Sequence, residues 1–396
     1  MTTAGTVRSH READVAGRRV LVRVDFNVPL DAGHIRDETR ITAALPTLRS
    51  LLERGALLVL VSHLGRPQGK PSAELSLAPI ATRLVELLAD DVPLSPEVVG
   101  ARTTSMADAL VPGGILMLEN VRFEPGEEKN DPELARRLAK LADVYVNDAF
   151  GAAHRAHAST VGVAELLPSF AGDLLLSEIE ALGRLVDDPA SPFVAIVGGA
   201  KVSDKLAVLQ QLVERVDALL IGGAMANTFL LADGKDVGTS LVEPDAIDAA
   251  KAIVTAAAGR GAQLLIPTDV VVAGSIDATD ATVVAVDNIP AGDAAYDIGP
   301  ATAERYAAVI ATAQTVFWNG PMGVFEKAPF AAGTLAVARA VADSDAFSVV
   351  GGGDSVAAVT EAGVANRISH ISTGGGASLE FVEGRALPGV EALRRA

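Results

Sequence analysis

The segment VLVRVDFNVP, residues 20–29, decides the fold of this chain, because three later segments repeat its pattern. Each segment begins with an apolar run of strand length and ends in polar residues. The three repeats are LLVLVSHLGRP at residues 57–67, ILMLENVRF at residues 115–123 and VYVNDAFGAAHRAH at residues 144–157. Helical patterns lie between the runs, which is typical of β-α-β units, so the segments predict buried strands of one parallel sheet.

Polar side chains follow the four strands at the point where each strand ends. Because parallel strands present their carboxyl ends at one edge of a sheet, we expect these side chains to lie together around a ligand. The residues concerned are Asp25, Asn27, His63, Arg66, Arg122 and Arg155. A surface ion pair explains any single arginine well, but several cations after successive strands favour an anion site. The net charge of the whole chain is -17, so this cationic group opposes the overall balance.

The composition indicates a globular protein of two domains, because 396 residues exceed one ordinary core. The absence of cysteine excludes disulfides, cysteine nucleophiles and thiolate metal sites. An aromatic content of 4% and the acidic charge argue against nucleic acid and anionic membrane as partners. The sequence shows no apolar run near the roughly 20 residues of a membrane span. Residues 1–20 lack the apolar stretch of a secretory signal, so we expect a cytoplasmic protein.

The second half of the chain repeats the rhythm of strands and helices, but its strands end in glycines. Glycines let the backbone approach a ligand closely, and a helix N-terminus favours phosphate, so these loops predict a nucleotide site. In GGAKVSDK, residues 198–205, we expect Lys201 and Lys205 to share one helix face and reach the same phosphate chain. A tight turn with two solvated lysines is an equally good explanation. FWNGPMGVFE, residues 317–326, offers Glu326 to a ribose hydroxyl, with a packing turn as the alternative.

Two triple-glycine segments lie near the C-terminus. GGGDS, residues 351–355, places Asp354 where it suits Mg²⁺, although a carboxylate here also suits a helix N-cap. In STGGGAS, residues 372–378, the amides of Gly374 and Gly375 are candidates for stabilising charge on a transferring group. Either segment alone has a turn as its simple explanation, but two such loops about 20 residues apart favour a site.

In their order along the chain, these motifs resemble those of the phosphoglycerate kinase family. The resemblance covers nearly the whole chain through RVDFNVP, DETRI, SHLGRP, LENVRF, VNDAFGAAHRAHAS, GGAKVSDK, GGAM, FWNGPMGVFE, GGGDS and STGGGASLE. It implies an α/β fold of two Rossmann-like lobes, each a parallel sheet flanked by helices, joined by a hinge helix. Residues 174–192 match that hinge, since they form a helical pattern that ends in a proline-containing break. We therefore expect an N-terminal lobe at 1–173, on which 377–396 pack back, and a C-terminal lobe at 193–376.

The resemblance assigns 3-phosphoglycerate or 1,3-bisphosphoglycerate to the first lobe and MgADP or MgATP to the second. The implied substrate residues are Asp25, Asn27, Arg40, His63, Arg66, Arg122 and Arg155. The implied nucleotide residues are Lys201, Lys205, Gly222, Gly223, Leu241, Ala295, Asn319, Pro321, Glu326, Gly352, Gly353, Asp354 and Ser355, with Asp354 as the magnesium ligand. Ala295 and Ser177 depart from the family pattern, because a glycine and a lysine are common at those positions.

The implied reaction is reversible phosphoryl transfer between 1,3-bisphosphoglycerate and ADP, which gives 3-phosphoglycerate and ATP in glycolysis. A carboxylate nucleophile has a pKa near 3.5, so it is ionised at neutral pH and needs no general base. Catalysis then depends on groups that stabilise charge, for which the candidates are Arg40, Lys201 and the amides of Gly374 and Gly375. We expect a monomer whose lobes close about the hinge when both ligands are bound.

Two other functions stay open from the residues themselves. A nicotinamide-dependent dehydrogenase also has α/β lobes and glycine turns, but the chain has no G-x-G-x-x-G fingerprint. A non-catalytic nucleotide-binding protein would not need Lys201, Arg40 and a full set of substrate residues together.

Overall fold

A computed structural model of the chain describes residues 7–394, which divide into two compact units. The first unit comprises Met1–Glu180 and Ala386–Ala396, and the second comprises Ala181–Arg385. Residues 1–6 and 395–396, which the expected domain boundaries also include, lie outside the described residues. The segment that returns to the first unit begins at Ala386 rather than at 377, because the helix over Gly376–Val382 packs within the second unit.

The first unit is built on a five-stranded, fully parallel sheet in the order β5-β4-β1-β6-β7. Its strands are β1 Arg19–Val24, β4 Leu57–Val61, β5 Ile115–Met117, β6 Val144–Asp148 and β7 Ser169–Ala171, with a small hairpin of β2 Leu30–Asp31 and β3 His34–Ile35. Its helices are α1 Thr39–Glu53, α2 Ala78–Leu88, α3 Ala101–Asp108, α4 Pro132–Ala139, α5 Asp173–Val186, which continues into the second unit, and α13 Pro388–Arg394. The parallel sheet expected from the four apolar segments is therefore confirmed.

Register explains why the polar residues meet at one edge. Arg23 of β1 lies beside Val61 of β4 and Asn147 of β6, so these three strands end at nearly the same level. Val22 and Val24 point into the apolar core of the unit, and the residues that alternate with them point to the opposite face. Arg23 is one of these alternating residues, and Asp25 follows it on the same side.

The second unit contains a six-stranded parallel sheet in the order β10-β9-β8-β14-β15-β16 and a three-stranded antiparallel sheet in the order β12-β11-β13. The strands are β8 Phe193–Val197, β9 Ala218–Ile221, β10 Gln263–Leu265, β11 Asp269–Ala273, β12 Thr282–Ala285, β13 Ala294–Ile298, β14 Thr315–Asn319, β15 Phe347–Gly351 and β16 His370–Ile371. The helices are α6 Leu206–Val213, α7 Ala224–Ala232, α8 Ile247–Arg260, α9 Pro300–Ile310, α10 Ala332–Asp343, α11 Gly353–Glu361 and α12 Gly376–Val382.

The antiparallel sheet was not expected from the sequence. QLLIPTDVVVA suggests one strand, but Gln263–Leu265 and Asp269–Ala273 belong to different sheets. Pro267 lies between them and has no N–H to donate to a ladder. The carboxylate of Asp269 accepts hydrogen bonds from the Thr302 backbone N–H at 2.7 Å and its hydroxyl at 2.6 Å, which anchors the start of β11 to the first turn of α9.

Helix α5 begins in the first unit and ends in the second, since the division falls after Glu180. Its first residue, Asp173, is held within the first unit by Arg11 at 2.7 Å and His10 at 3.1 Å. Asp148, at the end of β6, accepts a hydrogen bond from the Leu175 N–H at 3.1 Å. The start of this helix is therefore fixed within the first unit by charged and polar contacts. Among residues 7–394, no helix combines the length and apolarity that a bilayer crossing needs.

The buried carboxyl of Asp148 should make the stability of the folded chain depend on pH. It is fully buried, and burial raises the pKa of its carboxyl to about 7. An unfolded aspartate has a pKa near 3.9, so between about pH 4 and pH 7 the folded chain binds this proton more tightly, and stability falls as the pH rises. Asp148→Asn should reduce the loss of unfolding free energy between pH 5 and pH 8 by roughly 2 kcal/mol, as measured by denaturant titration.

The control for this variant is Asp143→Asn, which changes an exposed carboxylate immediately before the same strand. It should leave the wild-type pH dependence in place. An Asp148→Asn variant with the same pH dependence as wild type would show that the Asp148 carboxyl is ionised throughout this range.

Candidate active site

Asp25 is the centre of the polar group at the edge of the first sheet. It is 7% exposed, and its Oδ2 lies 3.3 Å from Nη1 of Arg40. The same Arg40 nitrogen donates to the backbone carbonyl of Asn27 at 3.0 Å. Arg40 lies in the first turn of α1, so this pair fixes the loop after β1 to the start of the following helix. The arginine predicted from DETRI therefore joins the strand-end group through direct contacts.

The loops after β4 and β5 are tied to the same place. Oδ1 of Asn27 accepts a hydrogen bond from the Gly65 N–H at 2.9 Å, and Nη1 of Arg122 donates to the Gly65 carbonyl at 2.7 Å. His63 Nδ1 lies 3.7 Å from Oδ1 of Asp25. Five of the predicted substrate residues thus form one connected group: Asp25, Asn27, Arg40, His63 and Arg122.

Arg66 and Arg155 belong to the same edge but not to these bonds. They follow β4 and β6, and their side chains are exposed. Their exposure makes these guanidinium groups accessible to an anion from solvent. Arg122 is more buried and is held by its carbonyl contact and by Glu128, 3.3 Å away.

Asn120 and Arg23 are two organising residues that the sequence reasoning missed. Fully buried Asn120 accepts the Leu64 N–H at 3.2 Å and donates to the Leu64 carbonyl at 2.7 Å, which shapes the loop that carries His63. Arg23 is 1% exposed and donates through Nη2 to His63 Nδ1 at 3.1 Å. The arginine inside the apolar run VLVRV could have indicated a buried polar network, because arginine is almost never fully buried unless it is paired.

Burial lowers the pKa of His63 well below the usual histidine value, and the nearby Arg23, Arg122 and Arg40 lower it further. His63 is therefore neutral at physiological pH, and it offers a hydrogen bond rather than a charge. The positive charge of the group comes from its arginines, whose guanidinium groups suit carboxylate and phosphate.

In the second unit, Lys205 lies between the ends of β8 and β14. Its Nζ donates to the Gly198 carbonyl at 2.6 Å, the Asn319 carbonyl at 2.8 Å and Asn319 Oδ1 at 2.7 Å. Burial lowers the pKa of Lys205 to about 8, and Asp354 and Asp204 partly oppose this effect. The ammonium is thus a partly desolvated cation with a complete set of acceptors.

The expectation that Lys201 and Lys205 share a helix face is wrong. Lys205 ends a short 3₁₀ turn over Ser203–Lys205, α6 begins at Leu206, and Lys201 lies in the preceding loop with an exposed side chain. Glu243 holds this turn, since it accepts the Ser203 N–H at 3.0 Å and the Ser203 hydroxyl at 2.6 Å. Because Glu243 is distant in sequence, local reasoning had no signal for this contact.

The GGGDS loop is connected to Asn319 and Gly320. Asn319 Nδ2 donates to the Gly351 carbonyl at 2.9 Å, and the Gly320 N–H donates to Ser355 Oγ at 2.5 Å. Gly352 has φ +89°, a backbone conformation that favours glycine. Gly353 opens α11, and the side chain of Asp354 next to it is exposed. The Asp354 carboxylate is therefore accessible beside the first turn of a helix.

Several of the implied nucleotide residues lie near the ends of β9 and β14. A Cβ on Gly223 would lie 2.5 Å from the Gly199 nitrogen, and the Gly223 N–H donates to the Met322 carbonyl at 2.9 Å. Gly222 and Pro321 adjoin this contact, whereas Ala295 is on β13, where its N–H donates to Ser240 Oγ at 2.9 Å. Leu241 is 56% exposed. Glu326, beyond β14, also has an exposed side chain.

The second triple-glycine loop opens α12 as expected. The Gly374 N–H donates to Ser372 Oγ at 3.2 Å, and that hydroxyl lies 2.5 Å from the hydroxyl of Ser378. Gly375 has φ +53°, so a left-handed residue joins the strand β16 to the helix. The amide of Gly374 is therefore already engaged within the loop.

Comparison with known proteins shows which family this chain belongs to. The family model described as phosphoglycerate kinase matches residues 10–385. The chain belongs to the phosphoglycerate kinase family. Curated phosphoglycerate kinases from Moorella thermoacetica and Roseiflexus sp. (strain RS-1) are similar to it, at 59% and 57% identity. The matches cover 97% and 98% of this chain and 98% of each relative.

Solved structures agree with the sequence comparison. A phosphoglycerate kinase structure from Coxiella burnetii has a TM-score of 0.89 at 44% identity and covers 98% of this chain and 99% of that chain. One from Pyrococcus horikoshii has a TM-score of 0.86 at 36% identity and covers 98% of each chain. The chain is accordingly a phosphotransferase, a nucleotide-binding kinase of glycolysis, and the dehydrogenase and non-catalytic alternatives are not favoured.

Gly223 provides a test of the close packing in the second unit. It has φ +68°, and an added Cβ would meet the backbone of Gly199 and Pro321 within 3 Å. Gly234 has φ +84° with nothing within 4 Å of an added Cβ, so it carries the same backbone constraint without the collision. Gly223→Ala should lower the free energy of unfolding by about 2 kcal/mol more than Gly234→Ala, measured by chemical denaturation. Equal losses for the two variants would contradict the packing argument.

Proposed function

We propose that this chain catalyses reversible phosphoryl transfer between 1,3-bisphosphoglycerate and ADP, which yields 3-phosphoglycerate and ATP. The observation that carries the proposal is the connected group of Asp25, Asn27, Arg40, His63 and Arg122 at the carboxyl edge of the first sheet. This group offers two guanidinium groups and a neutral imidazole to an anion. It also offers a carboxylate and an amide, which suit the hydroxyl of a small sugar acid.

In the proposed roles, Arg122, with the rim residues Arg66 and Arg155, binds the phosphate that the triose carries. His63 donates a hydrogen bond, and Asp25 and Asn27 position the hydroxyl and carboxylate end. Arg40 is the cation nearest to the transferred group. These assignments are supported by the contacts of Arg40 with Asp25 and with the carbonyl of Asn27.

For the nucleotide, we propose that the second unit binds ADP or ATP through loops that contain Lys205, Asn319 and the glycines that follow β8, β9 and β15. The remaining proposed contacts are Lys201, Gly222, Gly223, Leu241, Ala295, Pro321, Glu326, Gly352, Gly353, Asp354 and Ser355. A residue that follows the transferred phosphoryl must be mobile, which suits Lys201 because its side chain is exposed and it lies outside the helix.

Mg²⁺ fits the residues that are present. Asp354 is an exposed carboxylate beside the glycine loop, and Mg²⁺ commonly binds one or two carboxylates together with phosphate oxygens and water. Among residues 7–394 there is no group of three or more histidine or acidic side chains that could hold a metal. A cation carried by the nucleotide needs only the single carboxylate of Asp354. When bound, Mg²⁺ would neutralise phosphate charge.

When the reaction starts from ATP, a carboxylate oxygen of 3-phosphoglycerate attacks the γ-phosphorus. A new oxygen–phosphorus bond forms as the bond to the β-phosphate oxygen breaks, and ADP leaves with the electron pair. No proton has to move, so the protein contributes alignment and charge stabilisation. We propose that Arg40, Lys201 and the loop of Gly374 and Gly375 supply the stabilisation. We further propose that turnover includes closure of the units, which excludes water.

We also propose that the enzyme acts as a monomer in the cytoplasm, as expected for a glycolytic kinase of this family. Each unit carries its own buried core and its own set of proposed ligand contacts, so neither set depends on a second copy of the chain. Sedimentation of the purified protein at a mass near 40.6 kDa would support this assignment.

A coupled assay tests the function directly. Purified protein is supplied with ATP and 3-phosphoglycerate, and ADP formation is followed together with consumption of the acyl phosphate product. Turnover that requires both substrates and magnesium is the expected result. ATP hydrolysis that is independent of 3-phosphoglycerate would overturn the proposal.

Arg40 should affect catalysis more than nucleotide binding. Arg40→Ala removes the proposed cation at the transferred group, so kcat should fall on the order of 10²–10³-fold while the KM for ATP changes little. The matched control is Arg36→Ala. Arg36 lies four residues before Arg40, is exposed and is paired with Asp31. Near-normal kcat for Arg40→Ala would remove Arg40 from this role.

A further inference from the structure

Two groups lie near Nδ1 of His63. One favours a lone pair on this nitrogen, and the other favours a proton on it. Nη2 of Arg23 lies 3.1 Å from Nδ1, and Oδ1 of Asp25 lies 3.7 Å from it. A guanidinium has donors only, so at 3.1 Å it requires a lone pair on Nδ1. The carboxylate is beyond hydrogen-bond distance. In the neutral ring the proton must then be on Nε2.

Arg23 can impose this state because its own position is fixed. Its Nε donates to Ser159 Oγ at 2.9 Å, and its Nη1 donates to the carbonyl of Val24. The Ser159 hydroxyl donates in turn to Glu127 Oε1 at 2.6 Å, and the Ser159 N–H donates to Oε2 at 3.0 Å. The hydroxyl has a single proton, so its donation to Glu127 leaves a lone pair for Arg23. Each of the three bonds in this chain has a defined direction.

Burial makes the direction of these bonds matter. Glu127 and Ser159 are fully buried, and Arg23 nearly so, so the loss of one partner leaves a buried polar group unsatisfied. Glu127 supplies the negative charge that balances Arg23, and Arg23 opposes the rise in the pKa of Glu127 that burial causes. Other charged or titratable groups around His63 are Arg40, Arg122 and His157, and His157 Nδ1 lies 3.8 Å from Glu127 Oε1.

We infer that Glu127 and Ser159, acting through Arg23, are positioning residues that hold His63 as the neutral tautomer with its proton on Nε2. Neither residue belongs to the proposed set of substrate contacts. The functional consequence rests on the proposed function: His63 then presents a donor to the oxygen of the bound substrate without adding charge to the site. In the absence of the chain of bonds, Nδ1 would be free to carry the proton toward Asp25, and Nε2 would face the substrate as an acceptor.

The test has a readout that does not depend on substrate. Long-range ¹H–¹⁵N correlation spectra of protein with ¹⁵N-labelled histidine distinguish the two tautomers and the imidazolium, and the His63→Gln variant assigns the signal. The wild-type spectrum should show the Nε2–H tautomer without titration between pH 8 and pH 5.5. An Nδ1–H pattern, or titration near pH 6.5, would overturn the inference.

Two variants then test the origin of the effect. Ser159→Ala should convert His63 to a mixture of tautomers and raise the KM for 3-phosphoglycerate about tenfold, with the KM for ATP unchanged. Ser169→Ala is the matched control, because Ser169 is an equally buried serine of the same unit whose hydroxyl bonds only the Ala164 and Leu167 carbonyls. It should alter neither the spectrum nor the KM. If Ser159→Ala does not fold, Glu127→Gln is the replacement variant. It keeps the size and shape of the Glu127 side chain and removes its charge.

The outcomes separate this inference from the proposed function. A His63 signal that is unchanged in folded Ser159→Ala or Glu127→Gln protein would overturn the positioning role. A changed tautomer in either variant, together with a normal KM for 3-phosphoglycerate in His63→Gln, would support the positioning role and contradict the proposed substrate contact of His63.

Discussion

The common level at which β1, β4 and β6 end is the constraint on which the first unit depends. Arg23 lies beside Val61 and Asn147, so the loops that follow these strands start together. Side chains alternate along a strand, so a slip of one residue would move Asp25 to the core side and expose Phe26, which is fully buried. The apolar core and the polar edge therefore require the same register, and neither forms correctly without the other.

The two proposed ligand sites differ in the chemistry that they offer to an anion. In the first, Arg40 lies beside Asp25, and Arg40 and Arg122 are held by bonds to the backbone carbonyls of Asn27 and Gly65. In the second, glycine loops bring backbone close to backbone around Lys205, so a side chain at Gly198 would lie 2.0 Å from the Pro321 carbonyl. The first arrangement suits a compact ligand that side chains contact from several directions, and the second suits an extended phosphate chain.

Much of this organisation could be predicted from sequence, because strand length, apolarity and the polar residues after each strand are local properties. The parallel sheets and the grouping of Asp25, Asn27, His63 and Arg122 follow from them. Arg40 follows from the family resemblance instead, because it lies in the first turn of a helix rather than after a strand. The chain of Arg23, Ser159 and Glu127 could not be predicted, since its members are separated by 32 residues or more and only the fold joins them.

Turn geometry was the second limit of the sequence reasoning. GGAKVSDK precedes a helical pattern and therefore predicts that Lys201 lies on a helix face. Glu243 instead stabilises a 3₁₀ turn at Ser203, and the helix starts later. The antiparallel sheet was missed for a related reason. A proline between two short apolar runs separates them into different sheets, and the composition of the runs does not reveal this.

The three acceptors around Lys205 have a consequence for how firmly a phosphate chain can be retained. An ammonium has three donors, and in this structure each already has an oxygen partner. In the proposed nucleotide site, a phosphate oxygen that binds Lys205 must displace a carbonyl or amide oxygen, so it gains only the difference between a charged and a neutral acceptor. In that role the lysine would favour anions over neutral ligands, and the competing oxygens would limit the affinity for phosphate. For the proposed reversible reaction, this exchange of partners would allow either nucleotide to dissociate.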